Sequence, residues 1–416
     1  MSNTTLTADI IAKEALAILD NELGWLGMIH RAYEDEFDKT VNGYKVGETI
    51  SIRRPDDGQV RVGATLGTTD VIEGKVALTV DQQIGSDFEF SSTDLTLKID
   101  DLSERVIKPR MINMINYLAS DVLTQMYRGT YNWVGTAGEY MNSFSDFMKP
   151  VTRMNEMAIP MAERVSILSP EDHGQMVGSN TALFAPSAVT SALREGELGK
   201  IAGVSTFMSQ VTPTHTCGAR DNTTPLTDGI NQNVTYDTAK NTWTQTLITD
   251  GWDSSTTLKA GDVFTLTGVY MLNPKTKQST GIEQQFVVTT DVTANETTTA
   301  DTNLTISPPI IVSGPHATVT YSGTTDGRTI TMIGTASTAY KQNLFFHKNA
   351  MALAVVPMEM PAAAYGGSRK SHKGISIRVI PIYDGTNDIS KWRLDMLYGR
   401  KLIDPRLSVR SSGTGA

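Results

Sequence analysis

Between Asp221 and Thr338 the chain places 31 threonines in 118 positions, and short runs that alternate apolar with polar residues recur throughout: NVTYD, WTQTLIT, DVFTLTGVYML, QQFVVTT, NLTIS, PIIVS and RTITMI. A period of two belongs to a strand with one buried face, and β-branched side chains suit a pleated surface. Turn signals part the runs: ITDGWD, KAGD, LNPKTKQSTG, SGPH and TTDGRT. Six or seven strands at such spacing have few ways to bury their apolar faces. A compact barrel or sandwich is the expected form. The block holds 11 acids against 5 bases, so −6 of the net −9 lies here and −3 in the other 298 residues.

The flanks have a different texture, which makes the block an insertion. Ala12, Leu16, Leu19, Leu23 and Leu26 recur at helical spacing near the N-terminus, the pattern of an amphipathic arm. The run KPRMINMINYLASDVLTQMYRG predicts a long helix over 109–128 with Pro109 in its first turn and a short helix before it. Met111, Ile115, Leu118, Val122 and Met126 form its stripe; Asn113, Ser120, Asp121 and Arg128 hold its polar side. Residues 143–215 alternate helix and strand. Arg164–Leu168 reads as a strand, followed by Ser169 as a cap, Pro170 at the first helical position, and Glu171 and Asp172 suited to the positive end of the helix dipole. APSAVTSALREGELGKI predicts a further short helix and AGVSTFMSQV a strand. After the insertion, NLFFHKNAMALAVVP reads as a buried strand and turn. Ile375–Tyr383 and Ser390–Tyr398 read as a hairpin about YDGTND, with Trp392, Leu394 and Met396 on one face. The tail SSGTGA is expected to be disordered.

One stretch stands against the acidic balance. GETISIRRPDDGQVRVG, residues 47–63, sets Arg53, Arg54 and Arg61 on what reads as two short strands around a tight polar tip. An extended region continues to about residue 90. A two-stranded ribbon is marginal alone, so it must lie on something else, its own chain or another.

The usual constellations of chemistry are missing. His30, His173, His215, His316, His347 and His372 are scattered, with no second His or Cys at metal-ligand spacing, so neither a metal nor another cofactor is expected. His347 reads as a structural histidine. GELGK lacks the spacing of a phosphate-binding loop, no GxSxG elbow occurs, and Cys217 has no evident base partner. No enzymatic role is expected. A single cysteine excludes an internal disulfide framework and points to a reducing cytosol. The acidic balance argues against a protein that coats nucleic acid. No run approaches the ~20 apolar residues that span a bilayer, and the first residues lack a basic leader, so no membrane association or secretion is expected.

Taken in order, GETISIRRP, ERVIKPRMINMINYLASDVL, VSILSPEDHGQMV, the Thr-rich block closing in MIGTASTAYKQNLFF, and the ending GISIRV…DGTND…RLDML resemble the major capsid proteins of short-tailed, double-stranded-DNA bacteriophages. The P-twenty-two-like coats, which carry an inserted domain, are most similar. The resemblance covers nearly the whole chain. It implies an α+β chain with the tailed-phage capsid fold, also called the Hong Kong ninety-seven fold, carrying an inserted all-β, barrel-like domain. Residues 1–46 would be the N-arm, 47–90 the extended loop, and 91–142 the spine helix and part of the peripheral domain. Residues 143–220 and 339–374 would form the axial domain, 221–338 the insertion, and 375–416 the remaining peripheral strands and tail. The resemblance further implies hexamers and pentamers of the chain itself, a scaffolding protein, a portal protein, and expansion as DNA is packaged. The place implied is the virion, after assembly in the host cytoplasm, with a non-covalent shell.

For such a role the arginine hairpin is expected to bind protein. Arg53 and Arg54 suit forked hydrogen bonds to carboxylates of the next copy, with Glu34, Asp35 and Glu36 in YEDEFD as candidate partners. Solvated strand arginines are the bland alternative. Lys275 and Lys277 in LNPKTKQSTG are candidates to reach a neighbouring copy from the insertion. Two rival readings are a non-viral shell of the same fold around protein cargo and a surface adhesin whose β block binds carbohydrate. Against the adhesin, Trp243 and Trp252 make a thin aromatic platform.

Overall fold

A computed structural model of the chain describes residues 11–15, 24–31, 40–41, 44–45, 49–55, 57–58, 64, 71–91, 103–180, 198–220, 224–295, 301–361, 366–372 and 375–412. The chain is α+β and divides into two compact units. One comprises residues 1–51, 77–122 and 351–401; the other comprises 52–76, 123–350 and 402–416.

The first unit is built on a five-stranded sheet. Its order is Met351–Val356, Ile389–Leu402, Ile375–Asp384, Ser368–His372, with Gln82–Ser91 along the other side of Ile389–Leu402. The expected C-terminal hairpin is present in register, Arg378 opposite Asp395 and Asp384 opposite Ile389. Alternation places Ile377, Val379, Leu394, Met396, Trp392 and Phe88 on the buried face. Phe88 stacks on Trp392 at 6.4 Å, and the Arg110 guanidinium lies 5.4 Å from the Phe88 ring. Helix α1, Lys108–Gly129, follows a π-helical turn at Ser103–Ile107 and buries Met111, Ile115, Leu118 and Val122 of the predicted stripe. Asp121, on its polar side, accepts hydrogen bonds from Tyr398 Oη and Arg400 Nη2, each at 2.7 Å. Of the N-terminal arm, 11–15 are helical and Ala12 and Leu26 are buried; Leu16, Leu19 and Leu23 lie outside the described residues.

The second unit holds two seven-stranded sheets and a two-stranded pair, Thr257–Leu258 with Val292–Thr293. A mixed seven-stranded sheet runs Trp133–Val134, Ser408–Ser412, Ala339–His347, Arg164–Leu168, Val204–Met208, Lys200–Ile201, with Thr214–Thr216 also on Ala339–His347. Against it pack α2, Phe144–Glu156, and α3, Pro170–Asn180, through Phe147, Val151, Met154 and Met176; Phe147 meets Phe345 edge-on at 5.3 Å. The predicted cap holds. Ser169 Oγ accepts from the Asp172 amide at 3.1 Å, while the Asp172 carboxylate accepts from the Met141 amide and the Asn343 side chain, each at 2.8 Å. Ser411 and Ser412 of the expected tail are strand residues. The helix expected over 185–201 falls almost wholly outside the described residues.

The threonine block forms a separate antiparallel sheet in the order Leu226–Thr227, Gln245–Asp250, Thr302–Ser307, Ser279–Val288, Val263–Leu272, with Val319–Thr320 and Ile330–Met332 both on Val263–Leu272. The sheet curls until its ends meet, by a bridge between Leu226 and Thr329 and a hydrogen bond from the Thr227 amide to the Arg328 carbonyl at 3.0 Å. Phe264, Phe286, Leu247, Leu304 and Ile306 fill its interior.

Three local expectations are corrected. NVTYD is not a strand: Tyr236–Ala239 is a helical turn, and Tyr236 stacks on His316 at 3.5 Å. PIIVS buries Ile310 and Ile311 without joining a ladder, because Gln245 Oε1 and Thr318 Oγ1 accept from their amides. For the arginine run, the expected return strand at Val60 and Val62 lies outside the described residues, and the first strand has another partner. Thr49–Arg53 pairs with Lys75–Thr79, some twenty residues on, where Val76 and Leu78 alternate inward like Ile52.

Candidate functional site

The adjacent arginines of the ribbon meet opposite fates, because neighbours on a strand face opposite ways. Arg53 is 70% exposed in its side chain and makes one surface ion pair, Nη1 to Glu73 Oε2 at 3.0 Å. Arg54 is buried in its own chain. Its Nε donates to the Ile403 carbonyl at 2.9 Å, Nη1 to the Lys240 carbonyl at 3.1 Å, and its guanidinium lies 5.6 Å from the Trp243 ring. The expectation that Arg54 reaches a neighbour's carboxylate is therefore corrected: its fork binds main-chain carbonyls of the same chain.

Trp243 also receives Arg406, at 5.0 Å from the ring. Arg406 grips Asp404 with two bonds, Nε to Oδ1 at 3.0 Å and Nη2 to Oδ2 at 2.8 Å, and reaches Asp57 Oδ2 with Nη1 at 2.9 Å. Lys275 Nζ lies 3.2 Å from Asp57 Oδ1, and His316 Nδ1 lies 3.9 Å from Asp57 Oδ2. Burial by itself would raise both carboxyls. The Arg406 guanidinium outweighs it and holds Asp404 and Asp57 below the ordinary carboxylate range, aided by Arg54 at Asp404 and Lys275 at Asp57. Burial likewise pulls Arg54 below the ordinary arginine value. The cluster ties the ribbon's continuation (Asp57), the threonine-rich block (Trp243, Lys275) and the C-terminal segment together.

Lys275 thus has a carboxylate partner in its own chain. Lys277 is half-buried in the same turn at φ 55°, and burial lowers its ammonium pKa against the pull of Asp57. Arg61, Glu34, Asp35 and Glu36 lie outside the described residues.

A second polar cluster stitches the curled sheet to the seven-stranded one. The Gln285 side chain bonds both main-chain groups of Trp133, accepting from its amide and donating to its carbonyl, each at 2.7 Å. His215 Nε2 lies 2.9 Å from Asp262 Oδ1, while Asp262 Oδ2 accepts from the Gly218 amide at 3.1 Å and the Lys259 amide at 2.8 Å. Arg410, wholly buried, donates to the Gly261 carbonyl and to Gln342 Oε1 at 3.3 Å, and packs 4.6 Å from the Trp133 ring. Gly261 has φ +107°, and a Cβ there would come within 3.1 Å of both Tyr127 and His215, so the close approach requires glycine.

His215, Cys217 and Asp262 bring possible ligand atoms within 4.8 Å of one another. In sequence His215 and Cys217 stand two apart, which is not a metal-ligand spacing, and Asp262, 45 residues beyond Cys217, carries no local signal at all. Its donor set fits an ion poorly, since both Asp262 oxygens already accept hydrogen bonds. Burial drives the Cys217 thiol up to about 11 and, against the Asp262 hydrogen bond, pushes His215 below its ordinary value. A protonated thiol beside a neutral imidazole is an inert packing group. No described helix is long and apolar enough to cross a membrane.

A sequence profile of the family described as "P22 coat protein - gene protein 5" matches residues 56–411. The chain is 22% identical over 375 residues to the "Major capsid protein" of Acyrthosiphon pisum secondary endosymbiont phage 1, covering 87% of this chain and 88% of that one. Among solved structures, that of Mycobacterium phage Che8 aligns with TM-score 0.48 and 12% identity over 94% of this chain and 92% of the other. The asymmetric unit of the bacteriophage PhiM1 mature capsid aligns with TM-score 0.43 and 12% identity, over 89% and 83%.

Proposed function

The chain belongs to the P22 coat protein family, and from this premise, that it is a phage major capsid protein and the wall of an icosahedral shell, we propose how it serves that role. Copies tile as hexamers and pentamers, assemble on a scaffolding protein around a portal, and expand as double-stranded DNA enters. The family match across residues 56–411 carries this reading, since it takes in the ribbon's second strand, α1, both seven-stranded sheets of the second unit and the terminal strands. The buried clusters fit a wall rather than an enzyme. Their hydrogen bonds lock loops in place and leave no activated nucleophile.

The curled sheet within 221–338 is the inserted domain of this scheme. Residues 1–46 serve as N-arm, 47–90 as extended loop, 91–142 as spine region, 143–220 with 339–374 as axial domain, and 375–416 as remaining peripheral strands. Arg53 is the ribbon's contact residue. Its surface pair with Glu73 contributes about 0–1 kcal/mol and exchanges readily for a neighbour's carboxylate. Arg61, Lys277, Glu34, Asp35 and Glu36 are the other contact candidates. Weak single contacts suffice, because closed symmetry repeats each one. DNA is held without sequence readout, in keeping with a net charge of −9.

The test is electron microscopy of the purified chain, alone and with the scaffolding protein. Closed shells or ring-shaped capsomers are the expected result; a monodisperse monomer at every concentration overturns the proposal.

A further inference from the structure

Charge is unevenly spread over this acidic chain. Residues 366–401 carry eight bases and three acids, while 221–338 carries −6. The imbalance has a definite place at the edge of the five-stranded sheet. Across neighbouring strands Arg369 stands opposite Arg378, and Arg378 opposite Asp395. The buried Asp395 carboxylate takes both Arg378 Nη2, at 2.6 Å, and Arg393 Nε, at 2.9 Å. Arg369 is left facing a like charge. It is exposed, donates only to the Met358 carbonyl at 3.0 Å, and among the described residues makes no ion pair. Its strand, Ser368–His372, is the last in the sheet, so no further described strand covers that edge.

The opposite imbalance sits at one end of the curled sheet. Asp228 follows Leu226–Thr227, Asp250 ends Gln245–Asp250, Asp301 precedes Thr302–Ser307, and Asp326 accepts from the Gly229 amide at 2.9 Å. Asp228 is half-buried. Leu226 stands opposite Asp250 and Thr249 opposite Thr302, so Asp228, Asp250 and Asp301 converge at this end of the sheet. Asp301 foremost, then burial and the charges of Asp250 and Asp326, raise the Asp228 carboxyl above the ordinary range.

Like charges held together cost free energy that an opposite surface recovers, and a chain that tiles with itself carries both surfaces on every copy. We propose that the Arg369 edge of one copy docks on the Asp228–Asp250–Asp301–Asp326 end of another copy's curled sheet. The guanidinium then gains the carboxylate it lacks within its own sheet, and the acidic end gains a cation. This rests on the shell-building role proposed above.

Charge exchange tests it. Arg369→Glu and Asp301→Lys, each made in the full chain, should raise the concentration at which shells form about fivefold, since 1 kcal/mol of lost contact is near that factor. The double variant should return to the wild-type value, and the wild-type contact should weaken from about 50 to about 500 mM salt. Arg369→Gln should show a smaller version of the same loss, with thermal melts of all variants matching wild type. Single variants that assemble like wild type, or a double variant no better than the singles, overturn the contact. So does an Arg369→Glu shell that forms normally but retains less DNA, which assigns the edge to phosphate. Wild-type protein that forms no shell at all removes the underlying role instead.

Discussion

At the residue scale, stability is concentrated in a few buried charges whose partners are fixed by geometry. Arg406 joins Asp404, Asp57 and Trp243, so replacing it leaves Asp404 with only the charge of Arg54 and Asp57 with Lys275, in a half-buried site. Breaking a fully buried pair by removing one partner costs about 3–5 kcal/mol, an upper bound for this half-buried cluster with its remaining cations. Arg406→Met should lower the melting temperature accordingly, and Arg406→Lys should restore little, because an ammonium cannot make the forked bond to Asp404. An undiminished melting temperature in Arg406→Met would dismiss the cluster as incidental. The same groups set the acid limit. Asp404 and Asp57 have folded-state pKa values below their unfolded ones, so their contribution is present above about pH 4 and is lost as pH falls through the folded values. His215 is depressed too, so its contribution is complete above about pH 6.5 and declines as pH drops below that point. Chemical denaturation at stepped pH should show a shallow loss below about pH 6.5, reduced in His215→Gln, and a steeper one below about pH 4. Stability flat across the range would contradict these assignments.

At the scale of elements, what matters is how a helix or strand is fastened to its neighbours. The Gln285 amide replaces a strand partner for Trp133, completing both main-chain bonds between the curled sheet and the seven-stranded one. Gln285→Leu leaves a buried amide and carbonyl unpaired, at about 1–3 kcal/mol each. The expected outcome is earlier proteolytic cleavage within 221–338 with the rest of the chain intact; cleavage at the wild-type rate would argue against the fastening. Gly218 has no room for a side chain, since a Cβ would come 1.9 Å from the Thr257 carbonyl oxygen. Gly218→Ala should therefore separate the same two sheets, read as a second transition in calorimetry. Pattern and capping made many elements legible beforehand: α1 with Pro109 in its first turn, Ser169 as a cap, the hairpin about YDGTND, and five of the seven alternating runs. What failed was partner choice. Thr49–Arg53 takes Lys75–Thr79, because register follows the buried alternation of Ile52, Val76 and Leu78 rather than the nearest turn signal.

For the whole molecule, the threonine-rich block is an integral part of its unit. Its ends lie side by side, with the Cys217 amide bonded to the Thr338 carbonyl at 3.0 Å and the Ser337 amide to the Gly218 carbonyl at 3.2 Å. Geometry alone would allow a clean excision there. The energetics forbid it: removing residues 221–335 strips Asp262 from His215, Gly261 from Arg410, Gln285 from Trp133 and Trp243 from Arg406. The excised variant should melt well below the full chain, and an unchanged melting temperature would show the block to be a passive appendage.

The amino-acid sequence determined the period of most segments, the acidic threonine-rich block, the Ser169 cap and the lack of a catalytic motif, because all of these are written in local spacing. The order of its motifs also pointed to the coat family. Which arginine faces inward, which carboxylate holds it, and how the curled sheet is fastened were decided by tertiary structure. Those outcomes depend on residues far apart in the chain, such as Asp57 with Arg406 and His215 with Asp262, whose juxtaposition exists only once both sheets have packed.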